Sequence, residues 1–308
     1  MAFAFVFPGQ GSQSVGMLSR VAEEPAVRHA FERASAVLGY DLWQLTQQGP
    51  EDALATTEYT QPAMLTAGIA LASLWRERGG AEPALVTGHS LGEFTALVCA
   101  GALEFDPAVA LVRERGRLMQ QAVPAGAGAM AAVLGLEEPQ IAQACAAAGG
   151  VVEPVNFNAP GQIVIAGERA AVTQAIEAAR ALGARRAVLL SVSVPSHCSL
   201  MREAATRFGE TLASVPITAP RLKYVSAVDA GVHTDPQDIR ALLVRQLASP
   251  VRWQETVRAL IAQGARVLIE CGPGKVLTGL NRRIERDPGL QCLAIEDIPS
   301  IQAALGSL

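Results

Sequence analysis

The run Gly88-His89-Ser90-Leu91-Gly92 constrains this chain more than any other stretch. Ala84–Thr87 before it is short and apolar and predicts a buried strand. Leu91 to Gly101 after it predicts a helix with Leu91, Phe94, Thr95 and Val98 on one face. A strand turning this sharply into a helix is a nucleophile elbow, which holds its serine exposed at the end of a sheet. The flanking glycines suit the turn because side chains there would clash. The helix N-terminus turns backbone N–H groups toward any oxyanion formed beside Ser90. Without that context the same residues would read as an ordinary glycine-rich loop.

Composition narrows the class. Half of the 308 residues are hydrophobic and 18% are charged, which fits an Ala-rich α/β enzyme with a large core and excludes disorder. A net charge of −4 does not suggest nucleic-acid binding. Lys223 and Lys275 are the only lysines, so the positive charge is almost all arginine, the side chain suited to bidentate anion binding. The five cysteines are odd in number and scattered, which predicts reduced, buried thiols rather than disulfides or a zinc site. Ala2–Phe7 is too short for a signal peptide, and no uncharged apolar run reaches about 18 residues. A soluble cytoplasmic protein is expected, bound to neither membrane nor nucleic acid.

Taken in order, Ala2–Phe7 predicts a strand ending in the polar loop Pro8–Gln13, which can offer backbone N–H groups to an anion. It lacks the lysine of a P-loop, so nucleotide binding is rejected. Helices are predicted near 25–38 and 60–78, the second with Pro62 near its first turn. Another, capped by Asp106 with Pro107 first, runs to about Gln121. After Pro124–Gly128 the pattern becomes β-α-β-β-α-β, with strands near 129–134, 151–157, 162–166 and 187–191. That is the order of a ferredoxin-like module. Residues 125–192 are therefore expected to form a small inserted domain, and 1–124 with 193–308 the large one. Helices follow near 199–213, 236–247, 252–263 and 275–284, with strands near 267–269 and 292–295.

A serine hydroxyl needs a base within hydrogen-bond reach. His29 lies on an amphipathic helix and His233 in a polar loop, so both are expected to face solvent. His89 precedes the nucleophile and points away from it, toward a packing or hydrogen-bonding role beneath the elbow. His197 follows a proline-containing loop at the expected domain junction. The residues alone leave it between a base and a buried structural histidine. Arg113, Arg115 and Arg117 alternate along one helix and cannot share a face. Each alone would read as a solvated charge. Cys198, beside His197, reads as a small buried residue.

Several motifs together resemble one family, the bacterial malonyl-CoA:acyl carrier protein transacylases. They are Phe5–Gln13 (FVFPGQGSQ), Thr60-Gln61-Pro62, the elbow, Arg115-Gly116, Pro154–Asn158 (PVNFN), Val194–His197 (VPSH), Val244–Leu247 (VRQL) and Gly272–Gly274. They recur in the family's order over almost the whole chain. The resemblance implies a hydrolase-like α/β domain with a central parallel sheet and an inserted ferredoxin-like domain. It implies Ser90 as acyl acceptor, His197 as base, and a backbone carbonyl at or near Gln246 holding the second ring nitrogen. It also implies an oxyanion hole from the N–H groups of Leu91 and Gln10, and Arg115 as carboxylate binder. Gln61 either shapes that pocket or merely precedes Pro62 in the helix. The implied reaction moves malonyl from malonyl-CoA to the phosphopantetheine thiol of acyl carrier protein, with no cofactor or metal, in a monomer. Relatives in polyketide synthase and malonate decarboxylase systems stay open, as do a serine thioesterase or esterase and a silent carrier-binding protein. Phe94 departs from the tyrosine more usual after the elbow glutamate.

Overall fold

The computed structural model describes residues 2–192 and 194–308. Met1 and Ser193, and with Ser193 the expected point of return to the large domain, lie outside the described residues.

The strands, in chain order, are β1 (Phe3–Phe7), β2 (Leu85–Gly88), β3 (Gly128–Leu134), β4 (Val152–Ala159), β5 (Gln162–Glu168), β6 (Arg186–Leu189), β7 (Lys223–Val225), β8 (Val232–His233), β9 (Val267–Cys271) and β10 (Gln291–Ile295). They form a six-stranded sheet ordered β10-β9-β1-β2-β7-β8 and a four-stranded sheet ordered β4-β5-β3-β6. The larger is parallel except for β8. Its central strand, β1, is buried on both sides, as a near-continuous apolar run requires. Phe3, Phe5 and Phe7 enter a core with the helices Pro25–Leu38, Thr57–Glu77, Gly92–Cys99, Phe105–Gln121 and Arg202–Ala213. Ala4 and Val6 face the helices Trp253–Ala262 and Val276–Ile284. One strand thus divides its residues between two helical layers by its period of two.

The four-stranded sheet is antiparallel and has ferredoxin-like order. Ala129, Ala131 and Val133 alternate onto the face covered by the helices Glu138–Ala147 and Arg169–Ala181. Met130, Val164 and Ala166 fill the opposite face with Val155 and Cys198. At the seam the Phe157 N–H donates to Val251 O at 2.9 Å and the Val251 N–H to Val155 O at 2.8 Å.

Several local expectations are corrected. The helix predicted from residue 60 begins at Thr57, so Pro62 is its sixth residue rather than near its start. Proline there removes one helical hydrogen bond, and the buried Gln61, Ala63 and Met64 hold the segment helical through tertiary packing. The next helix begins at Phe105 behind Glu104, so Asp106 lies within its first turn and does not cap it. The helices Leu42–Gln48 and Glu51–Ala55 and the strands β7 and β8 were not predicted. Among the described residues, no helix is long and apolar enough to cross a membrane.

Candidate active site

The loops after β1 and β2 are neighbours because their strands pair, with Phe7 opposite Gly88. That pairing brings the Pro8–Gln10 loop beside the elbow. A Cβ on Gly92 would stand 2.0 Å from Phe7 O, so only glycine lets the turn approach β1 this closely. Ser90 itself has φ of 53°, in the left-handed region, which costs an L residue roughly 1–2 kcal/mol. His197 has φ of 68°.

Ser90 Oγ lies 2.7 Å from His197 Nε2. The other ring nitrogen, Nδ1, donates to Gln246 O at 2.8 Å. That bond fixes the tautomer: Nδ1 carries the proton, and Nε2 accepts from the Ser90 hydroxyl. The His197 N–H donates to Leu247 O at 3.1 Å, so the same segment holds both ring and backbone. Burial, with the charge of Arg115 nearby, lowers the imidazole to about 3, so the ring is neutral at neutral pH.

Arg115 is buried and over the ring of Phe94, with Cζ 5.4 Å from its centroid. A Cβ on Gly116 would meet Thr57 O at 2.5 Å. The close helix contact this permits lets one guanidinium nitrogen donate to Gln61 Oε1 at 2.9 Å. The other donates to Gln246 Oε1 at 2.7 Å and reaches Ser90 Oγ at 3.3 Å. Its partners are neutral oxygens, and it forms no ion pair with a carboxylate among the described residues. Nε has no partner among them. Burial lowers its pKa to about 10, which leaves it a cation at neutral pH. A desolvated, incompletely paired guanidinium suits an incoming carboxylate. Arg113 pairs with Glu58 and Arg117 with Glu114, both half-exposed.

Gln10, Leu91, Ser90, Arg115, His197 and Met130 line a cavity of about 100 Å³. Among the described residues, neither the Gln10 nor the Leu91 N–H has a hydrogen-bond acceptor. The Gln10 side chain is turned away, donating to Thr57 Oγ1 at 3.0 Å. A larger hollow of about 620 Å³ is lined by Arg28, Phe31, Tyr40 and Trp43 among others, and its serine, Ser35, donates its hydroxyl to Phe31 O and accepts from the Leu42 N–H.

His89 Nε2 lies 2.9 Å from Asn158 Oδ1, and its ring packs 5.6 Å from that of Trp253. It is thus a seam residue. His29 is exposed. His233, expected in a polar loop, lies partly buried in β8 beside Asp229 at 3.1 Å. Cys198 is buried, its thiol pushed up to about 11 by that burial. Three features escaped the sequence: the Gln246 side chain, Asn158, and the buried Glu93, which burial raises to about 7 against the pull of its hydrogen-bond donors. The available signal for Glu93 was a lone acid in an otherwise apolar helix, Gly92–Cys99.

The geometry can be set beside known proteins. The family model described as acyl transferase domain matches residues 4–297. A malonyl CoA-acyl carrier protein transacylase of Salmonella typhimurium is 54% identical over 98% of each chain. One from Bacillus subtilis is 43% identical over 99% of this chain and 96% of its own. An acyl carrier protein S-malonyltransferase from Vibrio cholerae superposes with a TM-score of 0.95 at 53% identity, covering 99% of this chain and 100% of its own. A malonyl-transacylase solved in complex with its type II PKS acyl-carrier protein superposes at 0.97 with 50% identity, covering each chain fully.

Proposed function

The chain belongs to the acyl transferase domain family, among its malonyl CoA-acyl carrier protein transacylases, and on that premise we propose how its residues divide the work. The enzyme moves a malonyl group from malonyl-CoA to acyl carrier protein. His197 Nε2 takes the Ser90 proton as Oγ attacks the thioester carbonyl. The Leu91 and Gln10 N–H groups receive the oxyanion of the tetrahedral intermediate. Loss of one such donor typically costs about 10²–10³ in rate. Collapse breaks the C–S bond, and the departing CoA thiolate recovers the proton from His197.

In the second half the carrier's phosphopantetheine thiol gives its proton to His197. Its sulfur attacks the malonyl ester, and Ser90 leaves and is reprotonated. Arg115 holds the malonyl carboxylate throughout, with Gln61 fixing one of its nitrogens. The base is a dyad, since Gln246 offers Nδ1 a carbonyl where a triad would offer an acid. General-base help of this kind contributes about 10²–10⁴ in rate.

The observation that carries this reading is the convergence on one oxygen: His197 Nε2 at 2.7 Å and an Arg115 nitrogen at 3.3 Å from Ser90 Oγ. Intact-protein mass spectrometry after mixing with malonyl-CoA tests it. The wild type should gain one malonyl group and lose it to added carrier protein. Ser90→Ala should gain none, and labelling of that variant would refute the assignment. Release of free malonate at the rate of transfer would mark a thioesterase instead.

The reading extends to a monomer in the cytoplasm. Five buried free thiols suit a reducing compartment, and the exposed large apolar residues described are few and scattered. The two sheets support a division at residues 124/125 and 192/193.

A further inference from the structure

Glu93 is fully buried in the first turn of the helix after the elbow, and the proposed mechanism does not use it. Its carboxylate accepts from Tyr224 Oη at 2.8 Å, Ser226 Oγ at 3.3 Å, the Ala227 N–H, and Gln246 Nε2 at 3.0 Å. Gln246 Nε2 also donates to Ser90 O at 3.0 Å. On the other side of that amide, Oε1 accepts from Arg115 at 2.7 Å. A guanidinium only donates and an ionised carboxylate only accepts, so the amide between them has one orientation that satisfies both. Glu93 thereby decides which atom Gln246 shows to Arg115.

A direct Glu93–Arg115 ion pair would occupy the guanidinium. With one amide interposed, the Glu93 carboxylate still supplies the counter-charge a buried cation needs and leaves guanidinium donors free. We propose that Glu93 is a positioning residue for acyl selection, which acts through Gln246 to orient Arg115 and keep it open toward the substrate carboxylate. This rests on the reading of Arg115 as carboxylate anchor.

Replacing Glu93 by Gln gives the site a donor where it had only acceptors. The Gln246 amide can then reverse and turn Nε2 toward the guanidinium. The test measures single-turnover labelling of Ser90 by malonyl-CoA and by acetyl-CoA, which lacks the carboxylate, in wild type, Glu93→Gln and Arg115→Ala. The pH is set above the value of about 7 to which burial raises Glu93. Arg115→Ala should lose most of the malonyl-over-acetyl preference. Glu93→Gln should lose about tenfold of it, the size of one weakened charge-assisted hydrogen bond. The loss should fall on KM for malonyl-CoA, with acetyl labelling within about twofold of wild type.

A folded Glu93→Gln that keeps the preference, or slows both substrates equally, overturns the proposal while the anchor reading stands. An unchanged preference in Arg115→Ala overturns both. Should Glu93→Gln not fold, Tyr224→Phe decides by the same ratio. Removing one donor to Glu93 should cost about threefold in preference, and no change overturns the proposal.

Discussion

Ser90 and His197 are 107 positions apart in sequence, and nothing local to either announces the other. The elbow was legible because its chemistry is confined to five residues between a strand and a helix. The base was assigned through resemblance, and Gln246 entered only for its carbonyl. Its side chain, which joins Arg115, Ser90 O and Glu93, was invisible because an amide's partners are set by folding rather than by neighbours in the chain. The pH dependence belongs at this scale. An imidazole held at about 3 keeps its neutral, proton-accepting form well below the ordinary value of about 6.5. The acid limb of kcat/KM for acetyl-CoA, which reports the free enzyme and lacks the carboxylate through which Glu93 acts, should therefore stay flat from pH 8 down to 5. A tenfold-or-greater fall over that range, centred near 6.5, would show that His197 titrates normally.

Among elements, long periodic ones were read well and short ones poorly. Helices of seven and five residues, such as Leu42–Gln48 and Glu51–Ala55, contain too few turns to show a repeat. Three-residue β7 is a strand because β2 pairs with it, not by its own pattern. Pro62 misled because packing outweighed its local preference. The β2–turn–helix unit carries its own prediction. Adding a methyl in Gly92→Ala drives Cβ toward Phe7 O, at 2.0 Å, and must move either the elbow or β1. Overpacking of this kind costs about 1–3 kcal/mol. Urea denaturation should show that loss, and Ser90 labelling should slow at least in proportion. A variant as stable and active as wild type would mean that the turn has room to spare.

At the level of the whole molecule, two sheets meet beside the nucleophile. The seam consists of the Val155–Phe157 bonds to Val251 and the His89–Asn158 contact, one residue from Ser90. Asn158→Ala leaves a part-buried ring nitrogen without its partner, at a cost of about 1 kcal/mol. Malonyl transfer to carrier protein should fall more than that stability loss accounts for, because the elbow and the small sheet lose a fixed relation. Equal small losses in Tm and rate would reduce the contact to plain packing. The left-handed backbone at Ser90 has a consequence for the fold's durability. Both Ser90→Gly and Ser90→Ala delete the hydroxyl, yet only glycine is at ease with that dihedral. The glycine variant should outlast the alanine one by about 1 kcal/mol in urea. A lineage released from the need for this reaction could drift to glycine at this position and lose little toughness, so disuse here would leave an inert but sound protein rather than a broken one.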